Sequence, residues 1–207
     1  MKPSGRRHAT AGFSLTEMII TLALVLIMAW MMYGFASGHH QRSQKQLCAD
    51  NLQKIYLALQ VYANDFGGML PLNTNAQTSE AVLDVLVPKY TADTSIFICP
   101  GGRDWQIPAG EPLSKRKISY AYYMGRRLSA AATENPSFAL MSDRQVDTEP
   151  KRAGECVFSA NGSSPGNNHH RFGGNFLFAD GSVQNSGPQL TFSLACPPGV
   201  VLLNPRP

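Results

Sequence analysis

Nineteen consecutive residues, Met18 to Ala36, carry no charge, and only Thr21 and Gly34 interrupt their apolar character. At 1.5 Å per residue such a helix spans about 28 Å, close to the ~30 Å hydrocarbon core of a bilayer. The run predicts a single membrane crossing. Lys2, Arg6 and Arg7 precede it, and residues 1–12 contain no acid. The positive-inside rule therefore keeps the N-terminus cytoplasmic and sends the remainder of the chain across. A secretory signal peptide is the competing reading, but its apolar core would be only about 7–15 residues long. Ala36-Ser37-Gly38 is also a mediocre cleavage site for one.

Charge is placed unevenly along the 207 residues. The formal net charge is +4, from 18 basic and 14 acidic side chains. Setting the three N-terminal cations apart leaves 15 against 14, so the body of the protein is nearly neutral. That excludes a broad electrostatic footprint for nucleic acid as the default. With 43% hydrophobic and 15% charged residues, the chain is neither disordered nor multi-pass.

Glu17 stands at the edge of the apolar run, where an ionised carboxylate is costly and calls for a partner. It belongs to the string Gly12-Phe13-Ser14-Leu15-Thr16-Glu17, placed between the basic start and the apolar helix. This segment resembles the type IV prepilins, a class that includes the pseudopilins of type II secretion systems. The resemblance implies cleavage by a prepilin peptidase after Gly12 and methylation of the new N-terminal residue, Phe13. Glu17 is then the fifth residue of the mature chain. Pairing Glu17 with the Phe13 amine of a neighbouring subunit would offset its burial and set the axial register of a filament.

From residue 39 the composition becomes polar, yet Cys48, Leu52, Ile55, Leu59, Tyr62 and Phe66 recur at helical spacing. This stripe predicts that one helix continues from about Ser14 to about Phe66, its second half packed on a domain and ended by Gly67-Gly68. The stripe is too short, and too poor in flanking charge pairs, for a coiled coil. Beyond it come a short helix near Ser79–Leu86 and strand candidates at Ile96–Cys99, Ile118–Met124, Phe138–Ser142, Cys156–Ser159, Asn175–Ala179 and Val183–Asn185. The tail from Leu190 to Leu203 is apolar and a candidate for a last strand. The expected fold is α+β, one long N-terminal helix packed on an antiparallel sheet, as in pilins. The expected division is a leader at 1–12, a transmembrane half-helix at 13–38 and a periplasmic domain at 39–207.

Nine residues separate His170 from Asp180-Gly181. This pattern is similar to the C-terminal H-x9-DG motif of a group of bacterial prepilin-like proteins. Supporting pieces are Cys48-Ala-Asp-Asn-Leu-Gln-Lys-Ile, the segment Tyr62 to Pro71, Ile98-Cys99-Pro100, Ser119-Tyr120-Ala121-Tyr122 and Met141-Ser142-Asp143. The likeness extends from Gly12 to about Gln184. Physically the motif reads as a hairpin turned at Asp180-Gly181, with His170 near its base. Some major pseudopilins hold calcium in a C-terminal loop, but here the loop lacks the carboxylates that ion requires. No metal and no cofactor is expected.

Cys48, Cys99, Cys156 and Cys196 all fall on the side expected to be periplasmic, where disulfides form. Their separations do not match zinc-site spacing. Of three possible pairings, Cys48–Cys99 with Cys156–Cys196 is favoured; reduced, buried cysteines are the alternative. Gly162-Ser163-Ser164-Pro165-Gly166 matches the G-x-S-x-G pattern formally, but the loop composition that follows does not fit a nucleophile elbow. His39-His40 and His169-His170 are adjacent pairs whose side chains diverge, a poor basis for a metal site. The clusters Lys115-Arg116-Lys117, Arg126-Arg127 and Lys151-Arg152 read as solvated loop faces.

The expected function is structural, not enzymatic: a subunit of a type II secretion pseudopilus or a type IV pilus-like filament, anchored in the bacterial inner membrane and assembled into a periplasmic or surface filament. The resemblance implies other pilin or pseudopilin subunits, a prepilin peptidase, an assembly ATPase with its membrane platform protein, a secretin and the lipid bilayer as partners. The alternative is a minor pilin or display module that binds a secreted substrate, polysaccharide or DNA through loops around 101–117 and 160–171.

Overall fold

The computed structural model describes residues 14–128, 138–192, 194 and 196–207, with the backbone alone at 34–39. Gly12 and Phe13 lie outside the described residues. The chain divides into two compact units, Met1–His40 and Gln41–Pro207. Helix α1, Leu15–Asp65, contributes to each.

In the first unit, Leu15–Tyr33 forms a 19-residue stretch with mean hydropathy 2.1, and none of it is buried. An α-helix that is apolar on every side and covered by nothing in its own chain has the surface expected of a membrane span. The hydroxyl of Thr21 donates back to the carbonyls of Glu17 and Met18, each at 3.0 Å, so its polarity is absorbed within the helix. A polar residue can therefore sit in the apolar run without an unmet hydrogen bond.

In the second unit α1 turns one face inward. Cys48, Leu52, Ile55 and Leu59 are fully buried, and Ala63 continues the stripe. Tyr62 is only half-buried and Phe66 is exposed, so the stripe ends a turn earlier than its spacing predicts. The two rings stack on each other instead, with centroids 4.4 Å apart. Gly67 and Gly68 both have positive φ, and the Gly68 amide donates to the Ala63 carbonyl at 2.7 Å. This six-to-one bond closes the helix as a Schellman motif does, and a left-handed residue just past the helix favours glycine.

Five antiparallel strands follow: β1 Tyr120–Met124, β2 Ala139–Asp143, β3 Gly174–Phe178, β4 Val183–Ser186 and β5 Val201–Leu203. Their spatial order is β4-β3-β2-β1-β5. The α+β class is as expected, and the apolar tail does supply the last strand. Alternation sorts the side chains between two layers. Tyr120, Tyr122, Met124, Leu140 and Leu177 join the α1 stripe in one core, while Ala121, Tyr123, Phe176, Phe178 and Leu202 join Val157, Phe158, Leu190 and Leu194 in a second. Both sheet faces are thus covered, one by α1 and the other by irregular chain.

That second layer corrects two strand expectations. Residues Cys156–Ser159 form only an isolated bridge, Cys156 to Gln189, and lie across the sheet as a loop. Ile96–Cys99 overlaps a 3-10 turn at Thr94–Phe97, started by the Asp93 carboxylate accepting from the Ser95 amide. Ile96–Cys99 and Val157–Phe158 are apolar because they are buried, not because they are extended. Helix α2, Ser79–Leu83, continues into a 3-10 turn at Asp84–Leu86. It ties the sheet to the tail: Ser79 Oγ donates to Tyr120 O at 2.8 Å, and Glu80 Oε1 accepts from the Arg206 amide at 2.9 Å.

Candidate functional site

A buried polar centre lies where α1, the end of β2, the start of β3 and two loops converge. Asp143, the last residue of β2, is fully buried. Its Oδ2 accepts from the Asn175 backbone amide at 2.8 Å and from Asn175 Nδ2 at 3.0 Å, and its Oδ1 accepts from Asn168 Nδ2 at 3.0 Å. His169, also fully buried, places Nε2 3.3 Å from Asp143 Oδ2 and 3.4 Å from Cys99 Sγ. Burial alone would raise the Asp143 carboxyl; attraction to His169 and the hydrogen bonds from His169, Asn168 and Asn175 outweigh it and hold the group below the usual carboxylate range.

Cys99 is bonded to Cys48 of α1, with Cα atoms 5.3 Å apart. Ligand atoms of Cys48, Cys99, Asp143 and His169 all lie within 4.8 Å of one another. Gly101 permits the approach: a Cβ there would sit 2.6 Å from Asn168 O and 2.7 Å from His169 Nδ1. Lys45 closes the α1 side. Its Nζ donates to Ser186 O at 2.7 Å and Phe172 O at 3.0 Å, and Asn175 Nδ2 reaches its carbonyl at 3.0 Å. Burial lowers the Lys45 pKa, and attraction to Asp143 opposes that shift.

The H-x9-DG residues sit elsewhere. His170 is exposed and adopts φ 57°, turning its ring away from that of His169 and against Gly162. Asp180 is exposed, and its Oδ1 accepts from the Ser182 amide at 2.8 Å. Gly181, at φ +82°, closes a turn of three residues, Ala179–Gly181, rather than the expected two. A Cβ on Gly181 would meet the Tyr56 ring at 2.6 Å, and the Tyr56 hydroxyl donates to Ala179 O at 2.9 Å. The Asp180-Gly181 turn thus docks the β3–β4 hairpin on α1, and no hydrogen bond joins His170 to Asp180 among the described residues.

At the other end of α1, Ser14 O accepts the first helical bond, from the Met18 amide at 3.1 Å, and the Ser14 and Thr16 hydroxyls pair at 2.8 Å. Glu17 lies in the first turn, exposed, where the helix dipole favours a negative charge. Residues 7–33 match the family model of the prokaryotic N-terminal methylation motif. That N-terminal motif is similar to the one type IV pilin- and pseudopilin-like proteins carry. No curated protein and no solved structure shows significant similarity to it.

The remaining cysteines depart from the expected pairing. Cys156 is exposed and Cys196 half-buried, and both are free thiols rather than a second bridge. Three of the basic clusters' cations are paired with acids: Arg116 with Glu111 at 3.0 Å, Lys117 with Asp104 at 3.9 Å and Lys151 with Asp147 at 2.7 Å. Arg126 stacks 4.6 Å above the Phe138 ring. Ser164 lies in irregular chain with no helix after it, so it lacks the presentation a nucleophile elbow provides. His40 falls within α1.

Asp143 and His169 are the site residues that sequence reading passes over. Each stands in a string singled out for other reasons, and neither has a sequence neighbour that completes a donor set. A fully buried strand ending in Asp, and a His preceded by Asn, are the only local signals.

Proposed function

We propose that the chain is a structural subunit of a type II secretion pseudopilus or a type IV pilus-like filament, with no catalytic role. The methylation motif over residues 7–33 carries this reading, because it joins the processing junction, Glu17 and the unburied apolar helix in one segment. A prepilin peptidase cuts after Gly12 and methylates Phe13. The apolar half of α1 holds the subunit in the inner membrane, N-terminus cytoplasmic, with residues 39–207 on the periplasmic side. On extraction by the ATPase-driven platform, that half-helix enters the filament core, and Glu17 neutralises the Phe13 amine of the neighbouring subunit. A secretin receives the growing filament.

The test is the N-terminal sequence and intact mass of the membrane-extracted chain, with and without a co-expressed prepilin peptidase. A peptidase-dependent start at Phe13 with a methyl-sized increment is expected. An uncut Met1, or a cut near Ser37, would overturn the reading. A display role is favoured by Trp105, 87% exposed on the 101–117 loop. Stoichiometry separates the two, since a display subunit is scarce in sheared filaments and a major subunit abundant.

A further inference from the structure

The buried centre holds an ionised carboxylate and an imidazole whose Nε2 lies 3.4 Å from the Cys99 sulfur of the disulfide. Taking such groups out of water is costly, and a disulfide, neutral and a weak acceptor, does little to offset it. His169 Nδ1 is buried with no hydrogen-bond partner among the described residues. The donor set reads differently once the sulfur–sulfur bond is open. It then offers two thiolates, one imidazole nitrogen and one carboxylate oxygen, a combination that suits zinc among the divalent ions.

We propose that Cys48, Cys99, His169 and Asp143 form a redox-gated zinc site, locked shut by the disulfide and assembled when a dithiol or phosphine reductant opens it. Geometry supports this. Zinc bonds of about 2.3 Å to sulfur and about 2.0–2.2 Å to nitrogen or oxygen give a tetrahedron with edges of roughly 3.3–3.8 Å. The His169–Cys99 and His169–Asp143 separations, 3.4 Å and 3.3 Å, already have that length. The two sulfurs must separate to roughly 3.8 Å, a side-chain movement. The outer shell is in place as well: Asn168 and Asn175 orient the Asp143 carboxylate as outer partners orient metal-bound carboxylates.

The chemistry balances. A dithiol passes two electrons and two protons to the disulfide, giving two thiols and its own disulfide. Zinc then displaces both thiol protons, and His169 coordinates through the Nε2 lone pair with its proton on Nδ1. Two thiolates and one carboxylate leave the filled site one negative charge, which the Lys45 ammonium, already attracted to Asp143, balances. All four ligands come from the protein and are buried, so the site is closed and structural. The proposal concerns the second unit and stands independently of the filament reading.

The test uses the full-length, detergent-solubilised chain carrying Cys156→Ser and Cys196→Ser, so that the two free thiols do not contribute. Zinc affinity is measured anaerobically by competition with a chromophoric chelator, for phosphine-reduced and oxidised samples side by side. Cobalt(II) is used as a spectroscopic replacement. The expected result is one zinc per reduced chain, bound at least about tenfold more tightly than by the oxidised chain. His169→Ala should weaken it by a further factor of about ten or more. Cobalt should show tetrahedral visible bands with sulfur-to-metal charge transfer. Equal affinity in both redox states, or tight binding that survives Cys48→Ser with Cys99→Ser, would overturn the proposal. If reduction loosens the fold, zinc should restore the near-ultraviolet circular dichroism, and failure to do so counts against the site.

Discussion

Single residues in this chain act through where they stand more than through what they are. Glu17 is an ordinary first-turn carboxylate by geometry, and its interest comes from the unburied apolar helix that follows it. Glu17→Ala should leave cleavage at Gly12–Phe13 intact while abolishing or sharply reducing filament yield, read as sheared-fraction abundance against membrane-retained subunit. Gly181 combines a left-handed backbone with contact against Tyr56, so Gly181→Ala should cost about 1–3 kcal/mol, seen as a lowered urea midpoint. An unchanged midpoint would show that the hairpin turn is not docked on α1. The Cys48–Cys99 bridge closes a 51-residue separation, and its reduction without added metal should cost about 2–4 kcal/mol. Zinc added to the reduced chain should return part of that loss through the four-donor site.

At the scale of elements, α1 is one helix with two kinds of surface. Its first half is apolar all round, while its second carries a narrow buried stripe. Truncating the stripe should therefore be expensive and truncating the other face cheap. Leu52→Ala or Leu59→Ala should destabilise the second unit by about 2–5 kcal/mol, whereas Leu57→Ala, at a well-exposed position, should stay within about 0.5 kcal/mol. Urea titration of all three variants checks this, and equal effects would mean that the stripe is misplaced. The sheet has a related asymmetry. Strands β1 to β3 are buried on both faces and read as nearly continuous apolar runs, while the edge strand β4 keeps polar Gln184 and Asn185 outward.

At the scale of the whole molecule, Gln41–Pro207 holds its own two-layered core, its disulfide and its tail latch. A fragment of those residues should be soluble, monomeric and cooperatively unfolding, with an intact Cys48–Cys99 bond by mass spectrometry. A molten or aggregating fragment would show that the core needs the apolar half of α1. The C-terminal strand makes the opposite prediction for truncation. Deleting residues 200–207 removes β5 from the β1 edge and leaves the Glu80 carboxylate without the Arg206 amide, so expression of folded protein should fall steeply.

Patterns that depend on local spacing were readable from the chain alone. The unburied apolar helix follows from uncharged length, the N-terminal methylation motif from the basic start, Glu17 and the apolar run, the stripe of α1 from 3.6-residue periodicity, and the helix stop from Gly67-Gly68. Strands β1 to β4 follow from β-formers between turn residues. Local spacing fails where apolar character has two explanations. Residues 96–99 and 157–159 are buried as turn and loop, and composition alone does not separate burial from extension. It also fails for sites assembled across the sequence. Cys48, Cys99, Asp143 and His169 have no common interval, so no spacing along the chain points to their meeting. They meet because the sheet order sets the end of β2 beside the start of β3 and α1 crosses that corner. Which of two adjacent histidines turned inward was likewise decided by the fold: the left-handed backbone at His170 sends its ring outward and leaves His169 beside the sulfurs.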